Sequence, residues 1–195
     1  MQRLEERERE LEQMKRRLKA RERHIKRLQT ELRTDHLTKL PNRQSFYEEL
    51  VLEADRARRK KTSLYVVYFD IDHFKRINDT YGHAVGDKVL VKIGRILRRE
   101  LRSDEFSARI AGDEFAIILS SLRRDEDAER MLDRLRKKME RCLCVSVVDR
   151  TIFATASFGV AKMRPSEKTD AFLVRVDDAM YTAKKRGRNV VHVSS

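Results

Sequence analysis

The chain has 195 residues, with 45 Lys and Arg against 32 Asp and Glu and a formal net charge of +13; 39% of residues are charged and 40% apolar. Two Cys, two Pro and six Gly exclude a disulfide scaffold, a collagen-like chain and a low-complexity linker, and the apolar share excludes disorder. The longest apolar run, Leu64 to Phe69, has six residues against the ~20 of a membrane span, and charge begins at Arg3 without a leader-like segment. A soluble, cytoplasmic protein with no membrane partner is expected.

Residues 1–34 lack Gly and Pro and carry twelve Lys/Arg and seven Glu. Leu4, Leu11, Leu18, Ile25 and Leu32 recur every seven residues, and Arg7, Met14, Arg21 and Leu28 follow each by three. Read as heptad positions a and d, they predict a left-handed parallel coiled coil that dimerises the chain. The alternative is a lone amphipathic helix lying on its own domain. The remaining charge of +8 is spread among acids over 161 residues, a diffuse pattern that argues against a nucleic-acid partner.

The repeat stops at Thr34-Asp35, and "DHLTKLPNR" (35–43) reads as a connector because Pro41 cannot sit inside a helix. Asn42 caps a helix carrying Phe46, Leu50 and Leu52. "SLYVVYFDI" (63–71) is continuously apolar and reads as a buried central strand. A turn and short helix follow, then a helix with Val85, Val89, Leu90, Ile93, Ile96, Leu97 and Leu101 at helical spacing. "EFSARI" and "EFAIILS", separated by "AGD", read as a hairpin. A helix over 124–140 precedes two strands, "CLCVSVV" and "TIFATASFGVA", that meet at Asp149-Arg150. A helix over 169–186 ends at Gly187, and "NVVHV" is the last strand. The order αβααββαββαβ predicts an α/β (α+β) domain over 35–195: one mixed sheet ringed by helices. Cys142 and Cys144 alternate on one strand, a poor geometry for a disulfide, and are expected to be buried free thiols that hold no metal.

Two acidic clusters fall at strand edges. Asp70 and Asp72 end the most buried strand; Asp113 and Glu114 sit at the hairpin tip beside Gly112. Carboxylates converging at strand ends suit Mg²⁺, which works on phosphates while keeping waters. The turn after Asp70 feeds a helix whose first N–H groups can cradle phosphate, with Lys75 adding charge. Asn78 and Asp87 offer what a guanine needs: a carboxylate to accept from N1–H and N2–H₂, an amide to donate to O6. Lys184 and Arg188, one helical turn apart, can neutralise a triphosphate or simply be a basic helix end.

Together, "DHLTKLPNR", "FDIDHFKRINDTYGHAVGD", "RIAGDEF", "SFGVA" and "DDAMYTAKKRGRN" resemble the GGDEF domain of the diguanylate cyclase family, from Asp35 to about Val193. The resemblance implies a fold similar to nucleotidyl cyclases and polymerase palms. It implies condensation of two GTP into cyclic di-GMP with release of two pyrophosphates, and Mg²⁺ or Mn²⁺ as cofactor. It implies that Asp70, Asp113 and the Ile71 carbonyl ligate the metal with support from Glu114. Asp113 or Glu114 would help deprotonate the 3′-hydroxyl. Phe74 and Lys75 would form the phosphate turn, Lys75 also meeting transition-state charge. Asn78 and Asp87 would read guanine, and Lys184 and Arg188 would hold phosphates. His83 would line the pocket or cap its helix.

Two positions depart from the family pattern. Ala111 stands where the signature has its first Gly, which is tolerable if its φ is negative. At the family's product-inhibition site, an Arg-x-x-Asp, the chain reads Arg102-Ser103-Asp104-Glu105, so that Glu105 replaces the Asp or Asp104 shifts by one. A domain that only binds GTP or cyclic di-GMP, and a basic coiled-coil nucleic-acid binder, are the rival readings. The intact acids and basic pair speak against the first, and the second leaves the acids unexplained.

Overall fold

The computed structural model describes residues 13–21, 32–120, 122, 124–147 and 150–194. The chain divides into two compact units, Met1–Thr34 and Asp35–Ser195. In the first, residues 13–21 are helical, with Met14 and Leu18 exposed. The heptad residues Leu4, Leu11, Ile25 and Leu28 lie outside the described residues.

In the second unit, helix α1 (Arg43–Lys60) starts where the Asn42 side chain accepts from the Ser45 N–H at 3.1 Å. Phe46 and Leu50 are buried, but Leu52 is 58% exposed; it sits two residues past Leu50, a step that turns it off the buried face. Strand β1 (Tyr65–Ile71) follows, then helices α2 (Phe74–Tyr81) and α3 (His83–Glu100). Strands β2 (Phe106–Ala111) and β3 (Glu114–Leu119) form the expected hairpin, with a register shift between Arg109 and Ala111. Helix α4 (Asp125–Cys142), strands β4 (Cys144–Val147), β5 (Arg150–Phe153) and β6 (Ala156–Lys162), helix α5 (Thr169–Lys185) and strand β7 (Val191–Ser194) complete it.

The main sheet has the order β2-β3-β1-β6-β7. β1 runs antiparallel to both β3 and β6, while β6 and β7 are parallel, so the sheet is mixed as expected. β1 is buried on both faces because helices cover both. Val67, Phe69 and Ile71 pack with α3 and α4 through Val89, Ile93, Leu97, Leu132 and Leu135. Val66 packs with α1 and α5 through Phe46, Leu50, Phe172 and Val176. Phe69 stacks on its cross-strand partners Phe115 and Phe158, with ring centroids 5.2 and 4.7 Å away. This aromatic row is a rigid floor one residue before Asp70.

"TIFATASFGVA", expected as one strand, is split in the structure. β5 pairs with β4 in a separate two-stranded sheet, and β6 joins the main one. Tertiary bonds at the break explain the switch. The Ala154 N–H donates to the Leu143 carbonyl at 2.9 Å, and the Thr155 carbonyl accepts from the Asp72 N–H at 2.8 Å. Cys142 closes α4 rather than opening a strand, so the two cysteines do not alternate on one strand. Both are free thiols, half-buried rather than buried.

Two clasps fix the ends of this frame. Asp35 accepts from the Thr38 N–H and hydroxyl at 2.7 and 2.6 Å and pairs with Arg109 at 3.2 Å, which ties the connector to the hairpin. Burial raises the Asp35 carboxyl, but these bonds outweigh it and hold it below its ordinary value. Glu167, between β6 and α5, takes a two-pronged pair from Arg175 at 2.8 and 2.8 Å, and Arg175 also donates to the Lys162 carbonyl. The Arg175 bonds hold the Glu167 carboxyl low. A depressed carboxylate stabilises the fold above its unfolded value of 4.5 and loses that contribution as pH falls through the folded value. Glu167→Gln is expected to cost about 3 kcal/mol at pH 7. In urea titrations the gap to the parent should shrink below about pH 4; a gap independent of pH would contradict the pairing.

Candidate active site

Antiparallel pairing sets Asp70, the penultimate residue of β1, directly opposite Glu114, the first residue of β3. Asp113 precedes it in the turn, where Gly112 takes φ +42. Three of the four acids expected to converge, Asp70, Asp113 and Glu114, therefore lie at one sheet end. Asp70 is buried, Asp113 half-buried and Glu114 exposed. Burial pushes the Asp70 carboxyl up to about 6; a hydrogen bond from Lys184 opposes this, and the charge of Asp113 reinforces it, with Glu114 adding less. Lys184, on α5, meets Asp70 at 2.9 Å. Glu114 also faces a cavity of about 40 Å³ that it shares with Tyr68 and Asp177.

The donor set fits Mg²⁺ or Mn²⁺. These are hard carboxylate oxygens around a buried acid whose ionised form lacks positive charge beyond one lysine. Among the described residues no three carboxylate, imidazole or thiol side chains close into a complete cage.

Asp72 does not join this cluster. It is buried and turned onto Thr155, Ser157 and Asn189. Ile71 lies in β1 beside Asp70, with its side chain in the core.

His73, at φ 59, turns the chain from β1 into α2 and gives that helix no side-chain cap. The first-turn N–H groups around Phe74 and Lys75 therefore stay available to an anion. Lys75 is exposed, and Phe74 packs on the core.

Asn78 lies on the last turn of α2, and its Oδ1 is buried without a hydrogen-bond partner among the described residues. Beneath it is Gly86 on α3: a Cβ there would lie 1.9 Å from Asn78 Oδ1 and 3.1 Å from the Phe74 ring. Asp87 follows, exposed. His83 opens α3, exposed, and makes no capping bond, so the capping alternative has no support.

Gly86 is a contributor that the motifs alone do not single out. Its signal was a glycine inside a helical run, which costs about 1 kcal/mol and calls for a packing reason. Gly86→Ala is expected to push the Asn78 amide aside. Melting should change little, because a side-chain tip can give way, and a crystal structure of the variant should show the amide displaced; an unmoved Asn78 would refute the close approach.

Arg188 corrects a second expectation. The i, i+4 spacing put it on one helix face with Lys184, but α5 ends at Lys185. Gly187 at φ 106 breaks the helix, and Arg188 stands in the following turn at φ 64, exposed.

Ala111 lies outside the left-handed region, so the methyl group is tolerated and the strained position falls on Gly112. Arg109, also missed, donates from Nε and Nη2 to the Gly112 carbonyl at 2.9 and 2.7 Å, and holds the turn from below.

Arg102 and Glu105 lie elsewhere, at the far end of β2, some ~20 Å of strand from the tip. The Arg102 N–H donates to Glu105 Oε2 at 2.8 Å. Both line a separate cavity of about 520 Å³ with Asp127, Arg130 and Arg134 of α4.

The family described as "Diguanylate cyclase, GGDEF domain" matches residues 32–190. Diguanylate cyclase DgcP of Pseudomonas aeruginosa is 37% identical over 171 residues, 88% of this chain and 25% of that protein. The chain thus spans about a quarter to a third of the length of the curated relatives it matches first. The coiled coil and GGDEF domain of DgcB from Caulobacter crescentus, solved with c-di-GMP, superposes with a TM-score of 0.88 at 28% identity, covering 96% of this chain and 98% of that one. Diguanylate cyclase SiaD, solved with its activator SiaC from P. aeruginosa, gives 0.79 at 34% identity, covering 99% and 75%.

Proposed function

The chain belongs to the GGDEF domain family of diguanylate cyclases, and from that premise we propose that it joins two GTP molecules into cyclic di-GMP and releases two pyrophosphates. The observation that carries this reading is the pairing of Asp70 with Glu114 across β1 and β3, with Asp113 adjacent and Lys184 at 2.9 Å.

Asp70, Asp113 and the Ile71 carbonyl would hold Mg²⁺ or Mn²⁺, with Glu114 in support. When bound, the ion supplies charge neutralisation at the α-phosphate and the leaving pyrophosphate. Glu114, the most exposed of the three acids, is placed to take the proton of the attacking 3′-hydroxyl, with Asp113 as its neighbour. Lys75 and the open N–H groups of α2 receive phosphate oxygens, and Lys75 meets the charge that grows on them. Lys184 and Arg188 hold the same phosphates from the other side. Asn78 and Asp87 read the guanine edge, with His83 at the pocket's border. Arg102 and Glu105, in their separate cavity, stand at the position of the family's product-inhibition site; Glu keeps the charge of the usual Asp on a side chain one methylene longer, which alters its hydrogen-bond geometry to a guanine edge.

One domain holds one GTP, so closing a two-fold symmetric product needs two domains facing each other, each aiming its 3′-hydroxyl at the other's α-phosphorus. The heptads of residues 1–34 would supply the tether as a parallel coiled coil, leading into the domain at 35–195. Met14 and Leu18, exposed in the single chain, are seam positions of that repeat.

Replacing Leu11, Leu18 and Ile25 with polar residues is expected to give monomers by sedimentation and to lower pyrophosphate release at least tenfold at micromolar protein. Full activity in such monomers would sink the tether. Glu114→Gln, run alongside, should keep GTP binding and lose product. A parent protein that binds GTP and makes none would be a receptor.

A further inference from the structure

Asp72 is 5% exposed, and every partner of its carboxylate is a donor. Oδ1 accepts from the Ser157 hydroxyl at 2.6 Å; Oδ2 accepts from the Thr155 hydroxyl at 2.6 Å and the Asn189 N–H at 3.0 Å. That N–H also lies 3.2 Å from Ser157 Oγ. The bond to Asn189 spans 117 positions of sequence and ends at the turn that carries Arg188.

This turn is costly to form. Gly187, Arg188 and Asn189 stand in succession at φ 106, 64 and 48. Left-handed backbone is disfavoured for a non-glycine residue and persists only where surrounding bonds over-determine it. Here they do. Asp72 grips the Asn189 backbone from the sheet side. From α4, Arg136 donates to Asn189 Oδ1 at 2.9 Å, and Glu140 accepts from its Nδ2 at 2.9 Å. The Val190 carbonyl accepts from the Phe158 N–H at 2.9 Å. Arg188 alone projects from this clamp, and among the described residues no carboxylate pairs with its guanidinium.

We infer that Asp72 is a positioning residue. It fixes the 187–189 turn so that Arg188 is held ready for the phosphates of the substrate. The inference rests on the reading of Arg188 as a phosphate ligand. It separates two acids two residues apart: Asp70 faces the substrate edge, and Asp72 acts through Arg188.

The test is a double-mutant cycle read by the dissociation constant of an α,β-methylene analogue of GTP with Mg²⁺, on the full chain. Arg188→Ala should weaken binding by tenfold or more. Asp72→Asn, which replaces one acceptor oxygen by an amide, should weaken it about tenfold. In the double variant the second loss should vanish, because coupled residues are non-additive. Losses that multiply would show that Asp72 only supports the fold, and would overturn the inference while leaving Arg188 in place. An unchanged constant for Arg188→Ala would overturn premise and inference together.

Should Asp72→Asn fail to fold, Asn189→Gly serves in its place. Glycine accepts φ 48 and keeps the N–H for Asp72, but drops the Arg136 and Glu140 bonds. It should loosen the turn and weaken binding several-fold, again only while Arg188 is present; an effect that persists without Arg188 overturns the clamp.

Discussion

Asp70→Asn is expected to cut cyclic di-GMP formation by at least a thousandfold while leaving the melting temperature unchanged or a few degrees higher. The two halves of this result have one cause. Asp70 is a carboxylate taken out of water beside Asp113 and Glu114, with Lys184 as its nearest cation, and its carboxyl is pushed up to about 6. A carboxyl whose folded value lies above its unfolded one lowers stability as pH rises between the two, here from about 4 to about 6, and the loss stays in force above that. Asparagine removes the buried charge and with it that cost, while the aromatic row of Phe69, Phe115 and Phe158 keeps the strand end in place. The same exchange deletes the most buried carboxylate of the cluster and frees Lys184 from its ion pair. Groups that place charge at the reacting phosphorus account for several kcal/mol of barrier, and a thousandfold is about 4 kcal/mol. Rates by pyrophosphate release and melting by calorimetry measure both halves. A variant that is inactive because it is unfolded would contradict the account, as would one that keeps a tenth of its activity.

Gly159→Ala carries the largest expected loss of stability. Gly159 sits in the middle of β6, where α5 crosses the sheet and its backbone comes closer than the backbone facing any other glycine. An added Cβ would lie 1.9 Å from the Met180 backbone nitrogen and 2.5 Å from the Ala179 carbonyl carbon. Backbone, unlike a side-chain tip, cannot swing aside, so α5 must lift. Overpacking of this kind costs about 3 kcal/mol or more, and for a domain of this size lowers melting by roughly 6–12 °C. The effect reaches the site because α5 carries Lys184, which meets Asp70 from that helix. Binding of GTP should weaken together with stability. In contrast to Asp70→Asn, this variant is damaged in both readouts; a melting temperature within 2 °C of the parent would refute the close approach.

Most of the frame was legible because the local signals agreed with the tertiary ones. The unbroken apolar run at 64–69 announced a strand covered on both faces. Asn42 behind Pro41 announced a helix start, and "AGD" between two apolar runs announced the hairpin whose tip meets Asp70. The misreadings share a cause: the deciding contact came from far along the chain. Nothing local marks a break at Ala154-Thr155, since both suit a strand; the switch of sheets follows from bonds to Leu143 and Asp72. Arg188 fitted an i, i+4 helix pattern, yet Gly187 ends the helix before it. Asp72 looked like a twin of Asp70, and only the fold brings Ser157 and Asn189 to it. Asn78 was legible as a polar group suited to a base, whereas Gly86, which makes room for it, was not.

Cyclic di-GMP is the product expected of the carboxylates that meet across β1 and β3. The most direct test is to incubate the full chain with GTP and Mg²⁺ and resolve the products by liquid chromatography and mass spectrometry. The account predicts cyclic di-GMP with two pyrophosphates for each molecule formed. Recovery of unchanged GTP from a folded, dimeric protein that binds it would contradict the claim.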